Sequence, residues 1–262
     1  MTFPSASDVP RLLQSLGIRL DVDRLDQHLI VDPEVVRVVV DAARLGASDI
    51  VFEIGPGPGT ITHELARQAR RVVAIEVDRR FRPLLDQLPA NVEVRYADAA
   101  RARWPRFDAL VCNPPYGLLD PIVRRLFRVR PFRAVFLVGS TTSRALVALP
   151  GTRQFTRLSL IVQASFEVEV VADVPSDVFV PRPRAISHII RLVPRAGRTQ
   201  LWELANAVVR VPRARVNDVV WRAGRGDLRE ALRARNILQR RLQVLSNAEL
   251  SAIAAAFIAE DL

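Results

Sequence analysis

Asn113, Pro114, Pro115 and Tyr116 follow directly on an apolar run at 107–112, so an amide, a rigid backbone carbonyl and an aromatic ring stand together at one strand end. That set suits the presentation of a planar amino group to a methyl donor. The lone pair of an exocyclic amine is delocalised into its ring. It attacks a methyl sulfonium poorly unless acceptors grip its N–H groups and turn the lone pair toward the methyl. The Asn113 side-chain oxygen and the Pro114 carbonyl are candidate acceptors, and Tyr116 is a candidate stacking surface. The two prolines restrict φ, which shapes the loop before any substrate arrives. No general base is required. Taken alone, the four residues also fit an ordinary proline turn after a buried strand, the lesser of the two readings.

Such chemistry needs a donor site, and the residues upstream can build one. Residues 49–54 read as a short buried strand, followed by Gly55, Pro56, Gly57, Pro58 and Gly59 and then by a stretch at 60–67 with helical spacing. The glycines let backbone approach a ligand closely. A second strand at 71–76 ends in Glu76, at about the twenty-residue distance where a doubly wound sheet puts a carboxylate on ribose hydroxyls. A third, at 91–96, delivers Asp98 as an acceptor for an adenine amino group, and the fourth ends in Asn113. A glycine-rich turn by itself also fits dinucleotide cofactors and plain tight turns. The full order of strand, GxGxG, helix, strand-Glu, strand-Asp and strand-NPPY resembles the Rossmann-like S-adenosylmethionine-dependent methyltransferases.

Residues 26–33, carrying Gln27 and His28, resemble the opening motif of the rRNA adenine N6,N6-dimethyltransferases, where a helix like 34–44 follows. Ile30 stands where that family usually has leucine. Residues 155–163 and 178–191 resemble its late strands, with an F-x-P-x-P segment beginning at Phe179. The likeness runs from about Gln27 to Leu192. It implies S-adenosylmethionine held by His28, Ile30, Gly55, Glu76, Asp98 and Asn113, and a target adenine framed by Asn113, Pro114, Tyr116 and Phe179. It further implies dimethylation of adenine N6 in rRNA within a pre-ribosomal small subunit, contributing to ribosome assembly. Two other readings stay open: a large-subunit rRNA methyltransferase of the macrolide-resistance branch, and a non-catalytic rRNA-binding assembly factor. The intact set of Gly55, Glu76, Asp98 and Asn113 argues against the second. The chain departs from the family in having N-P-P-Y where N-L-P-Y is usual, the form common in methyltransferases of DNA adenine or protein glutamine. It also lacks the usual Gln/Lys-Glu pair within 137–144 and a basic, glycine-bearing start within 1–10.

With 262 residues, 49% of them hydrophobic, the chain can bury one good core plus a small second unit. The expected organisation is an N-terminal arm at 1–26, an α/β Rossmann-like methyltransferase sheet at 27–195 and a small basic helical RNA-contacting domain at 196–262. The single cysteine, Cys112, excludes an internal disulfide and a cysteine-rich metal site, and no metal is expected. The absence of a long apolar run or a cleavable leader predicts a soluble cytoplasmic protein without a membrane partner; a monomer is expected.

The formal net charge is +10, and all 38 basic residues are arginine. Arginine favours bidentate phosphate contact and stacking on bases, while the lack of lysine equally fits coding bias or adaptation to heat. Arg101, Arg103 and Arg106 surround Trp104. Arg124, Arg125, Arg128, Arg130 and Arg133 follow the NPPY segment, and Arg182 and Arg184 lie near Phe179. Such basic groups with interleaved aromatics suit a single-stranded RNA path. Beyond 193–197 the spacing turns helical and arginine-rich, with Ser246 to Glu249 reading as a capping box.

Overall fold

The computed structural model describes residues 3–129, 133–197 and 199–259; Arg130 lies outside them. Its strands are β1 (Leu29–Ile30), β2 (Ile50–Ile54), β3 (Arg71–Glu76), β4 (Val92–Tyr96), β5 (Ala109–Cys112), β6 (Arg133–Gly139), β7 (Phe166–Val174), β8 (Phe179–Val180) and β9 (Ser187–Pro194). One sheet runs in the order β4-β3-β2-β5-β6-β9-β7, and β1 pairs with β8 separately. From β4 to β6 the pairing is parallel, and β9 is antiparallel to β6. The chain lays β2, β3 and β4 outward in one direction, then returns to place β5 on the other side of β2. The loops leaving β2 and β5 therefore diverge, and in open α/β sheets a crevice for ligands forms at that point.

Register aligns the chemistry. Ile54 is level with Ile75 and with Cys112, and Glu76 is level with Tyr96. Gly55, Glu76, Ala97 and Asn113 thus emerge at one end of the sheet. The central strands are covered on both faces, which is why they read as continuous apolar runs rather than alternating ones. On one face Val36, Val39, Val40 and Leu65 pack against Val51, Val72, Val111 and Val135. These come from the helices Pro33–Ala42 and Thr60–Gln68. The first helix is started by Asp32, whose side chain accepts from the Glu34 and Val35 amides ahead of Pro33 at the first turn.

The segment before Gln27 differs from the expected arm. It forms the helices Val9–Ser15 and Val22–Leu25, and Val9 and Leu13 are buried against Phe81 and Leu85. The spacing of Val9 and Leu13 is one helical turn, too short a pattern to stand out in the sequence. Residues 155–163 also differ: they are a helix, Arg157–Gln163, not a strand. Thr156 and Ser159 make a reciprocal capping box that starts it, and Leu160, Ile161 and Val162 are buried. A short apolar run does not distinguish helix from strand by periodicity.

Two compact units emerge, one of 1–122, 131–140 and 169–193, the other of 123–130, 141–168 and 194–262. This partition differs from a boundary at 195, because the C-terminal helices share their core with earlier segments. Within the second unit Phe127 stacks on Trp202 at 4.7 Å. The Ser251 hydroxyl donates to the Thr152 carbonyl at 3.0 Å and accepts from the Gly151 amide at 3.0 Å. The helix Asn247–Ile258 begins in the expected Ser246–Glu249 box. It ends with Arg225 donating to the Phe257 carbonyl at 2.6 Å, a cation on the negative end of the helix. Among the described residues no helix is long and apolar enough to cross a membrane.

Candidate functional site

The loops at the C-terminal ends of β2, β3, β4 and β5 enclose a cavity of about 620 Å³, within the roughly 300–1,000 Å³ of small-molecule sites. His28, Gly55, Glu76, Asp98 and Asn113 line it, together with Gly57, Val77, Phe81 and Pro115. Residues 22–26 complete one wall, so the N-terminal segment is part of the site.

Gly55 and Gly57 adopt φ of +73° and +53°, the left-handed region. A side chain on Gly57 would come within 3.1 Å of Leu29, whereas the space beside Gly55 is open. A ligand there meets bare backbone. Glu76 holds this loop in place: one carboxylate oxygen accepts from the Gly57 amide at 2.9 Å and the other from the Asp78 amide at 2.7 Å. Burial pushes the Glu76 carboxyl above its ordinary pKa, and the Asp78 and Gly57 amides hold it back. Each carboxylate oxygen has capacity for a second donor such as a ribose hydroxyl.

Gln27 is a strut. Its amide donates to Asp78 at 2.8 Å, and its oxygen accepts from the Asp21 amide at 2.8 Å. Arg80 grips Asp78 through Nε at 2.8 Å and Nη2 at 2.6 Å and reaches the Arg19 carbonyl at 2.7 Å. Burial raises the Asp78 pKa, but hydrogen bonds from Arg80 and Gln27 outweigh it and leave the carboxyl below its usual range. Sequence reading missed Asp78 and Arg80. The available signal was a second acid two positions beyond Glu76.

Asn113 donates its side-chain N–H to the His28 carbonyl at 2.9 Å. That bond fixes the amide plane, and no hydrogen bond among the described residues occupies its Oδ1. The His28 ring donates from Nδ1 to the Pro181 carbonyl at 2.7 Å, and Nε2 lies 3.6 Å from Asp26. Asp98, at the cavity rim, accepts from the Ala100 amide at 2.8 Å and lies 3.5 Å from Arg101.

Ile30 and Phe179 are not brought to the cavity. They face each other across the β1–β8 pair, 4% and 3% exposed within the apolar core. In this arrangement both anchor the ladder that carries His28. Pro114 is outside the lining as well, while Pro115 is in it. Tyr116 opens the turn Tyr116–Leu118, and its ring falls outside the described side chains. Trp104 is committed to packing, donating to the Ala99 carbonyl at 2.9 Å and tilting on Phe52 at 5.1 Å, so the arginines around it do not frame a free aromatic.

Glu53, next to the last residue of β2, is 2% exposed, and one of its oxygens has no partner among the described residues. Burial, with the nearby Glu76 charge adding to it, pushes its carboxyl up to about 8. An acid inside an apolar strand was the overlooked signal.

The model of the ribosomal RNA adenine dimethylase family matches residues 22–247. The protein named probable ribosomal RNA small subunit methyltransferase A from Pyrococcus abyssi is 35% identical over 194 residues, 73% of this chain and 72% of that one. Its namesake from Pyrobaculum aerophilum is 36% identical over 174 residues, covering 66% and 75%. Among solved structures, a dimethyladenosine transferase from Plasmodium falciparum superposes with a TM-score of 0.61 at 23% identity, over 86% of this chain and 96% of that one. The 23S rRNA methyltransferase ErmE gives 0.58 at 25%, over 87% and 98%.

Proposed function

The chain belongs to the ribosomal RNA adenine dimethylase family, and we infer that its cavity uses S-adenosylmethionine to methylate adenine N6 in small-subunit rRNA. The residues fit that cofactor: a glycine loop that offers bare backbone, a buried carboxylate with spare acceptor capacity, and a second acid at the rim. When bound, the cofactor supplies an electrophilic methyl group on a cationic sulfur. Glu76 receives ribose hydroxyls, Gly55 lets the chain approach, His28 forms part of the wall and Asp98 accepts from the cofactor's amino group. Asn113 Oδ1 accepts one N–H of the substrate amine and turns its lone pair out of conjugation. The Pro114 carbonyl is the second acceptor. The roles of Pro114 and of a stacking Tyr116 ring rest on the sequence pattern alone. The enzyme acts as a cytoplasmic monomer on rRNA within an assembling small subunit.

The observation that carries this reading is the Asn113 amide, tethered to the His28 carbonyl with its oxygen left to a substrate at the mouth of the Glu76 cavity. Mapping adenine methylation on both rRNAs by mass spectrometry, with and without the protein, tests it. Protein-dependent dimethyladenine in small-subunit rRNA is expected. The mark on large-subunit rRNA instead would move the enzyme to the macrolide-resistance branch, and no mark on either would leave a binding factor.

Glu76→Ala is expected to weaken S-adenosylmethionine binding by about 1–3 kcal/mol, the usual cost of a lost hydrogen bond to a charged group. Loss of the two amide bonds that tether the glycine loop acts in the same direction. Titration calorimetry reads the effect, and unchanged affinity would remove Glu76 from the cofactor site.

A further inference from the structure

The helix Val216–Arg222 buries Val216, Val219 and Val220 and turns Trp221 outward, 59% exposed. The chain then reverses tightly. The Gly224 amide donates to the Trp221 carbonyl at 3.1 Å and the Arg225 amide to the Val220 carbonyl at 3.0 Å, with Gly224 at φ +69°. This paired closure of a helix end needs a left-handed residue, which glycine supplies without strain. The reversal places Arg229, the first residue of the helix Arg229–Ala234, over the indole with its guanidinium carbon 5.0 Å from the ring centroid.

Arg229 has no hydrogen bond or carboxylate partner among the described residues, and its Nε is buried without an acceptor. The contact with the indole is what holds its guanidinium plane, and its charge is not neutralised. Around it, residues 201–241 contain ten arginines against four carboxylates. Arg225 is paired with Asp227 and Arg240 with Glu249, whereas no carboxylate partner is found among the described residues for Arg213, Arg222, Arg233 or Arg235. A large aromatic exposed in the middle of unpaired cations has no use for a water-facing helix. Its chemistry is that of a ligand with a flat face and negative charge beside it.

We propose that Trp221 and Arg229 form a stacking platform for an unpaired nucleobase of RNA, with the neighbouring arginines on the flanking phosphates. The inference rests on the rRNA reading and deepens it. Bases stack on aromatic rings and on guanidinium planes alike, and here the two are already layered. Stacking contributes little salt dependence, while each phosphate contact adds to it.

The test measures binding of the full-length protein to a small-subunit rRNA hairpin with an unpaired loop and to a fully paired RNA duplex, over a range of salt. Trp221→Ala is expected to weaken hairpin binding by about tenfold or more, with the salt slope unchanged and duplex binding unaffected. Arg222→Gln, at one of the neighbouring arginines, is expected to lower the slope by about 0.7, one phosphate contact on a single strand. Trp221→Phe keeps a ring and is expected to retain most of the affinity, while the quenching of tryptophan emission by the hairpin disappears. Hairpin binding by Trp221→Ala equal to wild type, an equal loss on the duplex, or quenching that persists in Trp221→Phe overturns the platform alone. If the wild-type protein binds neither RNA, the rRNA reading falls with it.

Discussion

Asn113→Ala is expected to lower turnover by about a hundredfold or more, the scale on which loss of one preorganised polar group at a reacting centre is felt. The effect belongs to the chemical step because of where the acceptor sits. Its N–H is spent on the His28 carbonyl, so Oδ1 needs no reorganisation to meet the substrate amine. An amine conjugated to a purine gains most from that acceptor as its nitrogen becomes pyramidal, and little before then. Turnover should therefore fall much further than cofactor affinity, although Asn113 also lines the cavity. Single-turnover methylation of an rRNA substrate at saturating S-adenosylmethionine, beside a calorimetric titration of the cofactor, separates the two. A variant that turns over at the wild-type rate, or whose loss lies wholly in cofactor affinity, would refute the acceptor role.

The same bond explains why a motif near the chain start and one in the middle act together. His28 follows Gln27, and Gln27 is clamped to Asp78 at the end of β3. Asn113 is then fixed by the His28 backbone rather than by its imidazole, so the placement of the acceptor depends on the Gln27–Asp78–Arg80 network. In energetic terms this is a partly buried polar assembly around the buried Asp78, with its donors and acceptors matched, the condition under which such groups rigidify a site rather than weaken it.

What the sequence made legible was the order of elements at the sheet's C-terminal end. Gly55 and Asn113 directly follow apolar strands, Glu76 ends one and Asp98 lies just beyond β4, and parallel register carries the strand ends to the same level. Residues whose position depends on distant partners were not legible. Phe179 reads as an aromatic near prolines and arginines, but its pairing with Ile30 across β1 and β8 buries it. Trp104 reads as an aromatic among arginines, yet Phe52 and Phe107 take its faces. Trp221 shows the converse. Only the helix phase, with Val216, Val219 and Val220 turned inward, tells that its ring points out. Sequence spacing gives the face of an element well and the partner of that face poorly.

Glu53→Gln should reveal how the fold accommodates an acid beneath its glycine loop. Glu53 ends buried, and desolvation first, then the nearby Glu76 charge, disfavour a further carboxylate, against a hydrogen bond from Thr62 that favours it. Its pKa rises from 4.5 to about 8 in the folded protein. Below pH 4.5 the group is protonated in both states and costs nothing. Between 4.5 and 8 the native state keeps a proton that the unfolded chain has released, so the contribution of this residue to stability declines as pH rises through that window. Above it the native carboxylate is ionised and the decline stops. Glutamine has nearly the same shape and never ionises, so the variant and the wild type should unfold alike near pH 4.5. By pH 8 the variant should be more stable by an amount on the order of a few kcal/mol, since a tenfold difference in proton affinity between the folded and unfolded chain is worth about 1.4 kcal/mol. Denaturant unfolding of both proteins from pH 4.5 to 9 measures the difference, in which the titration of every other group cancels. A constant difference across that range would show that Glu53 is ionised in the folded state and that its charge is stabilised by a partner.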